Sequence, residues 1–254
     1  MANALKDALL SRGRPLVGCW TMFASPLVAE AMAWTGHDLI VIDAEHAPLS
    51  PLDALHCLQA VAGTPCPPLL RLPDDDPTTI KRMMDVGAQS LMAPMIEDAA
   101  QARALVAATR YAPAGRRGFA AMHRASRFGN DPGYVARADA DVLLIAQVET
   151  PAAVDALDAI LAVDGIDAVF VGPGDLSAAM GLRGGAASDE VAAIMADCAR
   201  RAHAAGKPAG GLAVNAAMAR RLIGDGFDFV PVANDIALLS RAARATLEEV
   251  RGTP

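Results

Sequence analysis

Eight times along this chain a short, almost wholly apolar run is followed by a stretch with helical grammar. The runs are "PLVGCWTMF", "DLIVIDAE", "PPLLRL", "SLMAPMI", "DVLLIAQVE", "DAVFVGPGD", "KPAGGLA" and "FDFVPVA". Each is apolar throughout rather than alternating, as parallel strands covered on both faces require. Four intervening stretches, "SPLVAEAMAWTG", "SPLDALHCLQAVAG", "DPTTIKRMMDVG" and "TPAAVDALDAILAV", open on a cap residue followed by Pro, and three of them stop on Gly. Strict alternation of eight units specifies an α/β chain folded as a (β/α)8 TIM barrel, a single domain over residues 1–254. An open doubly wound sheet usually carries a Gly-rich fingerprint after its first strand, and "CWTMFASP" is not one. The units share no sequence period, so they are not solenoid repeats.

The length of 254 residues suits one such barrel. Apolar residues make up 53% and aromatics only 4%, so Ala, Val, Leu and Met must fill the core. Net charge is −7 with no basic run, which argues against a nucleic-acid or membrane-surface partner. Cys19, Cys57, Cys66 and Cys198 form no CxxC pair, so neither a zinc site nor a disulfide framework is expected. The opening "MANALKDALLSRG" reads as an amphipathic helix and not a signal peptide, and no apolar run reaches membrane-spanning length. A cytoplasmic protein with reduced thiols is expected.

One connection breaks the rhythm. Residues 111–134, "YAPAGRRGFAAMHRASRFGNDPGY", join the fourth helix of the repeat to the fifth strand and carry Arg116, Arg117, His123, Arg124 and Arg127. Connections this long in a compact domain are usually functional or interface-forming.

In a barrel of this kind, side chains at the C-terminal ends of the strands converge on one mouth. The first strand ends near Trp20. The second delivers Asp43, Glu45 and His46 within four residues, and the third Arg71. The fifth ends on Gln147 and Glu149, the sixth runs into Gly172, Gly174 and Asp175, and the seventh and eighth end near Leu212 and Val232. Gln147 and Glu149 are two apart and so point to one side of their strand. An inward carboxylate in an apolar barrel is costly unless it is paired or bound to a cation. Glu149 and Asp175 stand on adjacent strands, and such a pair suits Mg²⁺ or Mn²⁺ with water or substrate oxygens completing the shell. The alternative is an ion pair of these carboxylates with Arg71 that only holds the barrel together. For His46 the alternatives are a helix-start histidine bonded to backbone and a catalytic base, and its strand-end position favours the base. Trp20 reads as a pocket wall or as core. His37, His56 and His203 fall at the opposite face and read as structural.

The three lysines narrow the chemistry. Lys6, Lys81 and Lys207 lie in the first helix, in a barrel helix and at the start of the seventh strand. None sits at a C-terminal strand end, so a Schiff-base mechanism has no amine to use. No G-x-S-x-G elbow occurs. The loops after strands seven and eight lack the glycines of a barrel phosphate site. A divalent metal as Lewis acid with a histidine base remains, and Arg71 is placed to meet a developing oxyanion.

The segments "GCWTMFASP", "IDAEHAP", "IKRMMDVGAQSLMAPMIEDAAQA", "RYAPAGRRGF", "RASRFG", "QVET", "VGPGDLSAAMG" and "AAGKPAGGLAVN" together resemble the HpcH/HpaI aldolase family, the metal-dependent (class II) pyruvate aldolases, nearly end to end. Within the family the chain resembles 4-hydroxy-2-oxoheptanedioate aldolases and sugar-acid aldolases such as those cleaving 2-keto-3-deoxy acids. It implies a divalent metal ion (Mg²⁺, Mn²⁺ or Co²⁺) on Glu149 and Asp175, and a pyruvyl group bound by Gln147 and the backbone at Gly172 and Gly174. Asp175, Trp20 and Leu212 would also line the substrate. His46 would accept the proton, Arg71 would stabilise the enolate, and Asp85 would raise the basicity of the histidine. Asp43 and Glu45 would position His46 and the metal waters. Asp85 ends a helix at the bottom of its own barrel, so it could reach a mouth only in another subunit. The family implies a homo-oligomer, a hexamer, acting on a small 2-oxo acid and an aldehyde.

The function expected is reversible aldol cleavage of 4-hydroxy-2-oxo acids to pyruvate or hydroxypyruvate plus an aldehyde. A CoA-ester lyase of the citrate-lyase type shares the barrel but needs a basic nucleotide-binding surface, and only residues 116–127 offer one. A non-catalytic binder of 2-oxo acids is the third reading.

Overall fold

The computed structural model describes residues 3–252. Eight parallel strands close in chain order, β1 to β8, with β8 returning to β1. They are β1 (Leu16–Thr21), β2 (Leu39–Asp43), β3 (Pro68–Arg71), β4 (Ser90–Ala93), β5 (Leu143–Val148), β6 (Ala168–Val171), β7 (Ala209–Gly211) and β8 (Phe229–Asn234). The expected (β/α)8 barrel is therefore what forms. Helix α1 (Ala4–Ser11) precedes it, and α2 (Pro26–Ala33), α3 (Pro51–Val61), α4 (Pro77–Asp85) and α5 (Ala99–Thr109) follow the first four strands. Then come α6 (Tyr134–Asp141), α7 (Pro151–Asp155), α8 (Leu157–Leu161), α9 (Pro173–Ala179), α10 (Asp189–Ala204), α11 (Ala216–Gly224) and α12 (Asp235–Arg251).

The cap-then-Pro signals mark real helix starts. Ser25, Ser50, Asp76 and Thr150 each accept a backbone N–H of the following first turn, and Pro stands just inside. Inside the barrel, Leu39, Val41, Leu69, Met92, Leu143, Ile145, Phe170 and Phe229 fill the layers, and Leu5 and Leu9 of α1 close the lower end. Trp20 of β1, Arg71 of β3 and Gln147 of β5 come from alternate strands, as a barrel layer does. They form the top of the filled interior and the floor of the mouth.

The four cysteines are all buried outside the mouth, and burial pushes their thiols up to about 11 or about 12. All three lysines are remote from it as well. Lys6 bonds the carbonyls of Ala140 and Val142 at the lower end, Lys207 bonds that of Val163, and Lys81 packs beside Gly118. No helix among the described residues is long and apolar enough to cross a membrane.

Two regions depart from the plain repeat. Residues 111–134 contain a 3-10 turn at Arg124–Ser126 and fold back on the C-terminal end of α4. There the fully buried Arg117 donates from Nη2 to Asp85 Oδ1 at 2.8 Å and to the Tyr134 hydroxyl at 3.2 Å, with its guanidinium 4.5 Å over the Tyr111 ring. The second is α12. Only its first residue, Asp235, is buried, while Leu239, Leu247 and Val250 are exposed. The eighth helix of the repeat does not lie along the barrel wall but leaves it.

Candidate active site

The mouth is built on the ends of β2, β3 and β5. In register, Asp43 of β2 lies directly beside Arg71 of β3. Both side chains turn inward, and they close a two-point pair: Arg71 Nε donates to Asp43 Oδ1 at 3.0 Å and Nη2 to Oδ2 at 2.5 Å. Asp43 has no solvent exposure at all. Its Oδ1 also accepts the backbone N–H groups of Glu45 and His46, at 3.0 and 3.2 Å. One carboxylate thus orients the arginine and shapes the turn that presents His46.

Arg71 Nη1 stands 2.9 Å from Glu45 Oε2, but that oxygen has no partner in hydrogen-bonding alignment, so the attraction is electrostatic. The guanidinium plane lies 4.4 Å over the Trp20 ring. Asp43 takes two of the five arginine donors, and Glu45 stands against the Nη1 edge without an aligned hydrogen bond. Burial raises the Glu45 carboxyl above its ordinary range, and Arg71 opposes that shift. His46 is 52% exposed, and its Nε2 is 3.9 Å from Glu45 Oε2.

On the facing side, Glu149 follows β5 and is only 2% exposed. Its Oε1 accepts from Gln147 Nε2 at 2.7 Å and its Oε2 from the Met95 backbone N–H at 3.2 Å. Met95 adopts a left-handed φ of 54°, which turns that N–H inward. Burial, with added repulsion from Asp175 and Glu45, pushes the Glu149 carboxyl up to about 7. Gly172 lies against this carboxylate so closely that any Cβ would fall on it, whereas a Cβ at Gly174 would meet nothing within 4 Å. Asp175 is exposed in the first turn of α9. Leu212, just beyond β7, packs on the barrel interior next to the mouth. Trp20 Nε1 and Gln147 Oε1 are buried without partners. Buried polar atoms of this kind are normally satisfied, so both are open to ligand atoms.

Charge balance decides what this mouth can hold. Arg71 is committed to Asp43 and Glu45, so the expected alternative, in which it pairs with Glu149 and Asp175, does not form. Among the described residues, no basic side chain forms an ion pair with either of the latter carboxylates. Among the described residues no three His, Cys, Asp or Glu side chains gather as a closed metal cage. Two carboxylates with open positions fit a weakly held, hard divalent ion that keeps several water or substrate ligands.

Asp85 is not part of this mouth. It ends α4 at the lower end of the barrel, 25% exposed and held by Arg117, with His123 Nε2 at 3.7 Å. The Asp43–Arg71 pairing and the Met95 contact were not foreseen. The first depends on the register of β2 against β3, which residue spacing does not carry.

The profile of the HpcH/HpaI aldolase/citrate lyase family matches residues 16–242. The hydroxypyruvate/pyruvate aldolase of Roseovarius nubinhibens is 46% identical over 250 residues, covering 98% of this chain and 97% of that protein. The 4-hydroxy-2-oxo-heptane-1,7-dioate aldolase of Salmonella dublin is 46% identical over 246 residues, covering 96% and 93%. Among solved structures, an HpcH/HpaI aldolase/citrate lyase family protein from Burkholderia cenocepacia superposes with a TM-score of 0.95 at 38% identity, covering 98% of this chain and all of that one. A citrate lyase β subunit from Mycobacterium tuberculosis reaches only 0.59 at 19% identity, a likeness of fold alone.

Proposed function

The chain belongs to the HpcH/HpaI aldolase/citrate lyase family and is a carbon-carbon lyase of the aldolase type, and from that premise we propose the reaction and the roles of its residues. The reaction is reversible aldol cleavage of a 4-hydroxy-2-oxo acid to pyruvate, or hydroxypyruvate, and an aldehyde. The observation that supports it most is the buried Glu149 side chain at a lysine-free mouth, paired with no basic side chain among the described residues.

Members of this family generally depend on a divalent metal. Glu149 and Asp175 would hold it, and bound there it would polarise the 2-oxo group as a Lewis acid. Gln147, with the backbone at Gly172 and Gly174, binds the 2-oxo acid moiety between the walls formed by Trp20 and Leu212. His46 takes the proton of the C4 hydroxyl as the C3–C4 bond breaks, and the aldehyde departs. The electron pair of that bond passes to the enolate, whose charge the Arg71 guanidinium meets. Return of the His46 proton to C3 through solvent then gives the 2-oxo acid and restores the base. Asp43 and Glu45 set the position of His46. Asp85 lies at the wrong end to act on its own His46, so its assistance has to come from a neighbouring subunit. The exposed apolar side chains of α12 support a homo-oligomer, a hexamer in this reading, and buried thiols suit a cytoplasmic enzyme.

The test is pyruvate release from a panel of 4-hydroxy-2-oxo acids with and without EDTA. Turnover should vanish on chelation and return with Mg²⁺, Mn²⁺ or Co²⁺. Full activity after exhaustive chelation would overturn the metal assignment. Absence of pyruvate release from every acid with metal present would overturn the reaction.

A further inference from the structure

We propose that Asp235 is a positioning residue that clips the β1 rim of the mouth and thereby fixes Trp20 and the arginine stacked on it. Asp235 is 3% exposed, and no basic side chain among the described residues pairs with it. Its carboxylate is satisfied by backbone alone. Oδ1 accepts from Met22 N–H at 2.9 Å and from Ile236 N–H at 2.8 Å, and Oδ2 accepts from Phe23 N–H at 3.2 Å. Hydrogen bonds to an ionised acceptor are the strong ones, and here two of them cross from α12 to the loop leaving β1.

Capping α12 does not explain this carboxylate. Asn234 is the N-cap, and its Oδ1 already accepts from Ala237 N–H at 2.8 Å. What aims Asp235 at β1 is a bulge. Gly18 pairs with Pro231 and Trp20 with Asn234, so three steps along β8 oppose two along β1. The extra residue is taken up with Ala233 at a φ of 60°, a left-handed conformation unfavourable for any residue with a Cβ. Ala24, immediately past the clipped pair, is left-handed as well at 52°. Two strained alanines flank the clip, and such strain persists only where the surroundings over-determine it.

The clipped residues are mouth residues. Met22 and Phe23 directly follow β1, and Trp20 lies two positions before Met22. Arg71 lies 4.4 Å over the Trp20 ring. Releasing Met22 and Phe23 therefore loosens the wall against which the guanidinium rests.

The experiment uses Trp34→Phe as background. Trp34 is 61% exposed and outside the site, and its removal leaves Trp20 as the single tryptophan of the full chain. On this background, Asp235→Asn keeps the shape but turns an amide N–H toward a backbone N–H. It should shift Trp20 emission to the red, increase quenching by acrylamide, and lower kcat/KM about tenfold through KM, with Mn²⁺ affinity unchanged. Asn234→Ala removes the true cap and should lower the melting temperature without moving Trp20 emission or KM. A folded Asp235→Asn protein with the parent's Trp20 emission and KM overturns the proposal. Should Asp235→Asn not fold, Asp235→Glu keeps the charge but misaims it by one methylene, and the same readings apply. The kinetic arm rests on the aldolase reading, but the emission arm is read without substrate. A protein that shows the emission shift and cleaves no 2-oxo acid would sink the activity and not the clip.

Discussion

At the mouth, Arg71 stands between Asp43 and Glu45, while no basic side chain among the described residues forms an ion pair with the buried Glu149. At the lower end, Arg117 has one carboxylate, Asp85, and leaves Nε and Nη1 buried without acceptors, as His123 leaves Nε2. Both regions bury an arginine against tyrosine or tryptophan, and both break the rule that buried polar groups are paired. They differ in sign. The mouth has carboxylates to spare and the lower cluster has donors to spare. A small cation or a polarised substrate can correct the first deficit. Only an acceptor brought by water or by another surface can correct the second. Burial of charge alone therefore does not identify a catalytic centre, because the sign of what is missing also matters.

The largest effect should come from His46→Ala. His46 is half exposed and its side chain supports no packing, so melting temperature and Mn²⁺ affinity should hold while turnover falls about 10²–10⁴-fold. Wild-type turnover in this variant would remove His46 from the mechanism.

Next is Arg71→Ala. Loss of one oxyanion donor costs about 10²–10³ in turnover. Unlike His46→Ala, it also strands Asp43 as a fully buried carboxylate, so stability in urea should drop by about 3–5 kcal/mol. Unchanged stability would mean that the Asp43 pair is not what holds the β2 and β3 ends.

Glu149 makes the mouth sensitive to pH. Its carboxyl is pushed from 4.5 up to about 7 in the fold. The folded protein therefore holds that proton more tightly than the unfolded chain does. Stability of the metal-free protein should fall as pH rises from about 4.5 to about 7 and stay low above, by roughly 3 kcal/mol at about 1.4 kcal/mol per pH unit. A divalent ion should restore it, so the gain in melting temperature on adding Mn²⁺ should be larger at pH 8 than at pH 5. An equal gain at both would break the contrast between the two ends.

The smallest effect belongs to the lower cluster. Arg117→Met replaces a buried arginine by an apolar side chain of similar length. Asp85 is partly exposed and keeps its hydration, so the cost should be about 1–2 kcal/mol. Mn²⁺ affinity should not move. A shift in metal affinity would show that the ends communicate.

Most of the fold was legible because the cap-then-Pro starts and unbroken apolar runs act locally. Ser25, Ser50, Asp76 and Thr150 each fix a helix start within one turn. The mouth was legible as a set of strand ends, but its pairing was not. That Arg71 chooses Asp43 depends on register across two strands, and periodicity does not carry register. The path of α12 was hidden for a related reason. "DIALLSRAARATLEEVR" has the apolar spacing of any outer barrel helix, and nothing local distinguishes a helix that lies on the wall from one that leaves it. Asp235 was invisible because two of its three partners are backbone amides more than two hundred residues away, and its aim depends on a bulge.

The buried cysteines have a practical consequence. With every thiol shielded and its ionisation pushed to about 11 or above, the folded chain offers alkylating reagents almost no thiolate. The native protein is thus a silent background for labelling. A cysteine introduced at exposed Phe23 on the rim or at exposed Phe119 on the lower connection would be the one position to take a dye. Slow uptake of label by the unaltered chain would in turn time the opening of the barrel itself.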